Sequence, residues 1–156
     1  MRFHALTLAA LAVAMPLAAV AVSAQSEITH AQPVLPTVPL KIQTARGTIR
    51  LRVEVARTGE QQEVGLMFRT AVPPHGGMLF PTEPPREATF WMKNTVIPLD
   101  MVFIRQDGTI ARIITAKELT TSIDDSGEPV AAVLELGAGR AASFGIREGD
   151  RVTWKR

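Results

Sequence analysis

The segment around Trp91 brings together side chains that could bind a small polar molecule. Trp91 and Lys93 alternate in a run that predicts a strand, so both lie on one face, and Asn94 follows in a turn. Asp100 comes after a short connection. A ring, an ammonium, an amide and a carboxylate together are typical of sugar-binding or peptide-binding sites. The alternative is structural: Lys93 and Asp100 form an ion pair that fixes the turn, and Asn94 supplies its backbone angle.

Arg69 is a fifth candidate for ligand binding, because it ends an apolar motif. Its planar guanidinium could bind a carboxylate or a phosphate through two hydrogen bonds. The alternative, which we favour, is an ion pair with Glu63, Glu83 or Asp100.

Catalysis has weaker support in the sequence. The available acids and bases are Asp100, Glu83, Glu135 and His75, and a hydrolase-like enzyme could use Asp100 with Glu83 or His75. No spacing fixes such a pair, no serine lies in a Gly-x-Ser-x-Gly elbow, and ligands at zinc-site spacings are absent. The sequence therefore predicts no catalytic residue, metal or cofactor, and it favours binding over catalysis. A purely structural accessory domain is the third hypothesis.

Methionine is a possible exception, because thioethers bind Cu(I). Beyond residue 24 the chain has four methionines: Met67, Met78, Met92 and Met101. Each lies in an apolar run, as core residues do, and methionine fills irregular gaps well. We therefore predict that they pack in the core.

The elements that must position these residues are short. Apolar residues alternate from Ile49 to Val55 and predict a half-buried strand. Further strands are predicted at 78–80, 88–93, 99–105, 109–116, 130–136 and 151–155, with 101–104 apolar on both faces as in a central strand. Helices are predicted at 59–66 and 138–144. About seven strands and two short helices predict a mainly β domain, either a compact β-sandwich or a small barrel.

Turn and cap residues set the limits of these elements. Thr58 with Gln61 forms a capping box, and Gly145 ends the second helix. The proline- and glycine-rich stretches 73–77 and 81–85 predict loops, Asp107-Gly108 predicts a hairpin turn, and the polar stretch 120–129 predicts a mobile loop.

The first 24 residues have the features of a cleavable signal peptide. Arg2 precedes an apolar, alanine-rich run, and Val22-Ser23-Ala24 ends it with the small residues of a cleavage site. We therefore expect an exported protein, periplasmic or extracellular, that does not stay in the membrane after cleavage. Residues 25–39 are predicted to be a proline-rich spacer, and 40–156 a single domain.

Composition excludes several classes of function. The chain has no cysteine, which excludes disulfides, thiol nucleophiles and iron–sulfur clusters. Removing Arg2 from the 17 Lys and Arg leaves 16 against 15 Asp and Glu, with no basic cluster, so nucleic acid is not an expected partner. The expected partners are a small polar ligand, a glycan or another exported protein.

Four motifs carry a resemblance to a known family. They are GLMFR at 65–69, GMLF at 77–80, FWMKNT at 90–95 and IPLDM at 97–101. Together with Val133-Leu134-Glu135-Leu136, they resemble the DUF192 family of small bacterial and archaeal domains. The resemblance implies a mainly β domain, often exported, and it brings no established activity. Pro81, and 129–132 without an aromatic residue, depart from the usual pattern.

Overall fold

The computed structural model describes residues 27–155, so the predicted signal peptide and Arg156 lie outside the described residues. The described residues form nine strands and two short helices. The strands are β1 Thr37–Thr44, β2 Gly47–Val55, β3 Met78–Arg86, β4 Thr89–Phe90, β5 Leu99–Ile104, β6 Ile110–Ala116, β7 Asp124–Asp125, β8 Val130–Gly137 and β9 Arg151–Trp154. The helices are α1 Gly59–Val64 and α2 Arg140–Phe144. Neither helix of residues 27–155 has the length and apolar character needed to cross a membrane.

Seven strands form one sheet in the order β6-β5-β8-β3-β2-β1-β9, and β4 pairs with β7 in a small second sheet. Neighbouring strands are antiparallel except β2 and β3, which are parallel. A bridge between Thr109 and Arg151 brings the two edges of the large sheet together at one end, but the sheet is not a closed barrel. The prediction of a mainly β fold with two short helices is confirmed.

The core lies on both faces of the central strands. In β5, Val102 and Ile104 belong to one apolar cluster, whereas Met101 and Phe103 belong to the other. The first cluster contacts α2, and the second lies beneath the end of α1 and the segment after β3. Successive side chains of a strand point to opposite faces, so β5 buries both, as its sequence predicted.

Local sequence signals position both helices. The Thr58 hydroxyl accepts a hydrogen bond from the Gln61 amide at 3.2 Å, and the Gln61 side chain accepts one from the Thr58 amide at 3.2 Å. At the end of α2, Gly145 has a φ of 69°, and the Ile146 amide donates to the Ala141 carbonyl at 2.9 Å. The predicted capping box and helix end are both confirmed, although α1 stops two residues earlier and α2 starts two later than predicted.

Two strands differ from the prediction. β3 continues to Arg86 through the prolines that predicted a loop. The prolines are tolerated because pairing with β8 is interrupted between Pro81 and Arg86, so they need not donate backbone hydrogen bonds there. The strand predicted at 88–93 shrinks to Thr89–Phe90, although burial still alternates along it. The stretch 120–129 contains the short strand β7.

Part of the segment predicted as a spacer contacts the domain. β1 starts at Thr37, and Leu35 is buried. The Gln32 side chain donates hydrogen bonds to the carbonyls of Gln61 and Gly65 at 3.0 Å and 2.9 Å. The chain entering the sheet is therefore packed along α1 and its C-terminal end.

Candidate ligand-binding site

A cavity of about 330 Å³ lies between the sheet, the end of α1 and the segment that follows β3. Its lining includes three aromatic side chains, Phe80, Phe90 and Trp91, together with the carboxyl group of Glu135. Pockets that hold small molecules occupy about 300 to 1,000 Å³ and combine apolar walls with a few polar groups. This cavity has that size and composition.

The aromatic walls are fixed by their own packing. The rings of Phe80 and Phe90 meet edge to face, with centroids 5.2 Å apart and planes at 85°. Phe90 also contacts Phe103 of β5, at 6.5 Å and 78°. Trp91 is 45% exposed, and the Lys93 ammonium lies 5.2 Å from the centroid of its ring, within range of a cation–π contact. Phe80 and Phe90 are therefore rigid walls, whereas Trp91 lies where the cavity meets solvent.

Gly65, at the end of α1, leaves space for the ring of Phe80. Its φ of 48° is unfavourable for residues with a side chain. A Cβ atom at this position would lie 3.3 Å from Cζ of Phe80, closer than ordinary contact. The turn after α1 therefore brings backbone against the cavity wall.

Glu135 is a buried acid on a central strand. In β8 it is directly opposite Met78 of β3 and Met101 of β5, and both methionines are fully buried. The Glu135 residue is 4% exposed, and its carboxyl group makes no hydrogen bond or ion pair with another described residue. Burial raises the pKa of Glu135 to about 8, because the charged form loses its hydration. At neutral pH the carboxyl group of Glu135 is therefore mostly protonated when no ligand is bound.

Three other polar side chains of the lining donate their hydrogens within the protein, which leaves their oxygens as acceptors. The hydroxyl groups of Thr82 and Thr95 donate hydrogen bonds to backbone carbonyls, and the Gln62 amide donates to two more. Their oxygen lone pairs stay available to a ligand. Glu63 and Arg86 also line the cavity, and both are exposed.

The predicted cluster of five residues is only partly assembled. Trp91 lines the cavity and Lys93 packs on its ring, so these two lie together. Asn94 has a φ of 57°, as its turn position predicted, and its amide nitrogen is 3.4 Å from the Ile28 carbonyl. Asn94 therefore serves the turn and lies beside the lining rather than in it.

Asp100 lies on the other face of the sheet. Its two carboxylate oxygens accept hydrogen bonds from the Thr115 hydroxyl at 2.7 Å and from the Ala141 amide at 2.9 Å. It precedes Met101, which is paired with Glu135, and adjacent residues of a strand face opposite ways. The expected convergence of Asp100 with Trp91 and Lys93 does not occur, and neither does the alternative Lys93–Asp100 ion pair. Asp100 instead holds the first turn of α2.

Arg69 forms an ion pair, but with a partner that the sequence did not suggest. Its guanidinium is 3.0 Å from the Glu54 carboxylate and 3.3 Å from the Pro33 carbonyl. Glu54 also accepts the Leu35 amide at 2.6 Å. Both members of the pair are largely buried, so Arg69 ties the incoming chain to β2 and is not part of the cavity lining.

We expect Arg69→Met to destabilise the fold by about 1–2 kcal/mol, because it leaves the Glu54 carboxylate largely buried without its cation. Chemical denaturation of the two proteins measures the difference. Ligand binding should be unchanged, and the double variant Arg69→Met/Glu54→Gln should recover part of the loss. A loss of ligand without a loss of stability would place Arg69 at the ligand.

The hydrolase-like set of residues is dispersed. Asp100 lines a depression beside α2, Glu83 lies near Pro81 and Pro85, and His75 packs on Phe144 with ring centroids 5.2 Å apart. Asp100, Glu83 and His75 therefore line separate depressions of the surface.

Residues 27–155 contain no group of three or more His, Asp and Glu side chains that could hold a metal ion. The methionines that raised the possibility of copper are buried, as predicted for core residues: Met67, Met78, Met92 and Met101.

Sequence reasoning treated Glu135 as one acid among several and assigned Phe80 and Phe90 to apolar strand faces. The signal for Glu135 was present in the chain. It is the one charged residue of β8, Val130–Gly137, whose first seven residues are all buried. A lone acid in a strand buried on both faces marks either an internal pair or a ligand site.

A model of the family DUF192, described as an uncharacterized ACR, matches residues 38–154. The chain belongs to the DUF192 family. The resemblance found in the four motifs is therefore confirmed, and the match begins inside β1 and ends at the last residue of β9.

Two solved structures are similar to this DUF192 domain. A protein from Sinorhizobium meliloti 1021, provisionally described as a transcription regulator, is 43% identical with a TM-score of 0.75, and the match covers 79% of this chain and 97% of that one. A protein of unknown function from Novosphingobium aromaticivorans DSM 12444 is 40% identical with a TM-score of 0.76, covering 83% and 94%. No curated protein matches the chain.

Proposed function

We propose that this DUF192 domain is an exported, non-catalytic binding protein that holds a small ligand with polar groups in the cavity beside Trp91. The observation that carries the proposal is Glu135: a buried carboxyl group without a partner among the described residues, facing a cavity with aromatic walls.

An unpaired buried acid is costly for a fold. Removing a polar group from water without a hydrogen bond costs a few kcal/mol, roughly 1–3 in proteins. An aliphatic side chain between Met78 and Met101 would avoid that cost. Groups that lower stability in this way are concentrated at functional sites, where a ligand supplies the missing partner.

The lining favours binding over catalysis. Apart from Glu135, its titratable side chains are Glu63 and Arg86, and both are exposed to solvent. General acid–base catalysis usually needs a second positioned group close to the first. Among the described residues, the cavity therefore contains one buried acid and no second buried ionisable group beside it, and the buried hydroxyls of Thr82 and Thr95 donate to backbone carbonyls rather than to a base.

Export is the second part of the proposal. It is supported by the features of the first 24 residues, which combine Arg2, an apolar run and the small residues before Gln25. The absence of cysteine is compatible with an oxidising compartment. Outside the cytoplasm, the ligand could be a free small molecule, part of a glycan or a side chain of another exported protein.

Native mass spectrometry tests this function on protein purified gently from the exported fraction of its own host. We expect a chain that begins at Gln25 and carries a reproducible additional mass. Trp91→Ala and Glu135→Gln should lose that mass, because one removes a wall and the other the buried acid. The matched control Trp154→Phe should keep it, since Trp154 packs against the cluster on the other face.

Two results would contradict the proposal. A bare mass in the host protein, combined with no change at Trp91 in a screen of small polar compounds, would favour a structural accessory domain. A chain that retains residues 1–24 and stays in the cytoplasmic fraction would contradict export.

A further inference from the structure

We propose that the ligand of this cavity is a protonated organic amine, whose ammonium group binds the Glu135 carboxylate between the aromatic walls. This assignment rests on the proposed binding function and names its chemical class. It is carried by three features of the lining: its hydrogen-bonding side chains, its rings and its charge.

Apart from the protonated Glu135 carboxyl group, the buried and half-buried hydrogen-bonding side chains described in the lining have no donor left for a ligand. Thr82 and Thr95 donate their hydroxyl hydrogens to backbone carbonyls, and Gln62 donates both of its amide hydrogens in the same way. They offer only oxygen lone pairs, and the Glu135 carboxylate adds two more acceptor oxygens. An ammonium group is donor-only, so it complements this set. A sugar hydroxyl presents both functions and would leave its acceptors unpaired by these side chains.

The rings favour a cation as well. Ammonium groups are attracted to aromatic faces within about 6 Å of the ring centroid, most strongly to tryptophan. Phe80 and Phe90 form one corner of the cavity, with centroids 5.2 Å apart, and Trp91 lines it at the solvent side. The protein already shows this preference at Trp91, because the Lys93 ammonium lies 5.2 Å from the ring centroid.

Charge excludes the opposite class of ligand. Protonated Glu135 could donate one hydrogen bond to an anion but could not compensate its charge, and among the described residues of the lining the one cationic side chain, Arg86, is exposed. A buried anion next to an acid needs a buried cation to compensate it. The cavity therefore selects against carboxylates and phosphates.

The volume limits the size of the amine. About 330 Å³ corresponds to roughly ten water molecules at about 30 Å³ each. This accommodates one ammonium group with a short alkyl or single-ring substituent. The substituent would lie against apolar lining such as Leu66, Met67 and Ala88, which are buried.

Binding of such an amine must be coupled to proton release. The empty site holds protonated Glu135, whereas an ammonium ion is complemented by the carboxylate, so each bound amine expels about one proton. With the pKa of Glu135 at about 8, affinity should rise by up to about tenfold per pH unit below that value. It should fall again above about pH 10, where an alkylamine loses its own proton.

The probes are two amines, 2-phenylethylamine and butylamine, with 2-phenylethanol and 1-butanol as neutral matches of the same shape. In the Trp154→Phe background Trp91 is the sole tryptophan, so its fluorescence reports on the cavity. Calorimetry at pH 6.5 in two buffers of different ionisation enthalpy counts the protons. We expect the amines to bind at least tenfold more tightly than the alcohols, with close to one proton released per amine.

Glu135→Gln should weaken amine binding at least tenfold and abolish proton release, whereas Glu148→Gln, an exposed carboxylate outside the cavity lining, should change neither. If the Glu135 variant does not fold, proton release by the wild-type protein still decides the question. Alcohols that bind as tightly as the amines, or amines that bind without proton release, would contradict the assignment of an amine ligand. Neither result would contradict the proposed binding function. Failure of both amines to bind would also overturn it, and native mass spectrometry of the host protein tests the binding function independently.

Discussion

The free energy of unfolding should fall as the pH rises from about 4.5 to about 8, and Glu135→Gln should remove most of that fall. The pKa of Glu135 is raised from 4.5 to about 8 by burial. Between these values the folded protein retains a proton that the unfolded chain has lost. Since the folded state then binds more protons, stability is fully present below pH 4.5 and decreases until the folded carboxyl group ionises near pH 8.

The expected change in the free energy of unfolding is large for a single side chain. Each pH unit inside this window lowers stability by about 1.4 kcal/mol, which gives roughly 4–5 kcal/mol across the whole window. Urea denaturation of wild type and Glu135→Gln at pH 5, 6, 7, 8 and 9 measures the difference. The two curves should diverge steadily and run parallel above pH 8, with the glutamine variant the more stable at high pH.

Two controls separate Glu135 from the other titrating groups. Glu63→Gln removes an exposed carboxylate of the same cavity lining and should keep the wild-type pH dependence. Adding 2-phenylethylamine should restore stability at pH 8 to the wild type and not to Glu135→Gln, because a ligand stabilises the state that binds it. If the free energy of unfolding had the same pH dependence in wild type and Glu135→Gln, Glu135 would not be a buried acid that is protonated at neutral pH.

Asp107 affects the stability of the fold in a separate pH range. Its pKa is lowered from 3.8 because its carboxylate accepts hydrogen bonds from the amide and the hydroxyl of Thr109. A lowered pKa gives stability that is present above the unfolded value and lost as the pH falls through the folded one. The contribution of Asp107 is therefore lost in acid, below the window of Glu135, and the two do not overlap.

The parts of the fold that the sequence predicts are those determined over a few residues. Thr58 with Gln61, and Gly145 with Ile146, complete their hydrogen bonds within about one helical turn, so their residue types are sufficient to identify them. The Asp107-Gly108 turn is local as well, although only Gly108 takes a positive φ, at 87°.

The candidate site depends instead on pairing between distant strands. Glu135 faces the cavity because β8 lies between β3 and β5, a neighbour order that no local pattern of residues reveals. The same register turns Asp100 to the opposite face, since it precedes Met101, the partner of Glu135. A shift of β8 by one residue would turn Glu135 to the face of Asp100, so the types and spacing of the two acids cannot tell which of them faces the cavity.

Asp100→Ala should destabilise the protein by roughly 3–4 kcal/mol, because two donors lose a buried acceptor and a cavity replaces the carboxylate. Ala141 is the second residue of α2 and is itself buried, and Thr115 is the residue paired with Asp100 across β5 and β6. Asp100→Asn should cost less, since its amide oxygen can still accept one of the two hydrogen bonds. The matched control is Asp124→Ala, which removes a carboxylate without a hydrogen bond to another described residue and should cost under about 1 kcal/mol.

The decisive comparison for Asp100 is between stability and ligand binding. Asp100 and Glu135 lie on opposite faces of the sheet, so Asp100→Asn should bind the native ligand and 2-phenylethylamine as the wild type does, once corrected for the folded fraction. Glu135→Gln should show the reverse, with a stable fold and no ligand. A folded Asp100→Asn that loses the ligand would move the functional site to the face beside α2. The opposite faces of one sheet would then have exchanged their roles: Asp100 would be the functional acid and Glu135 a buried group of the fold.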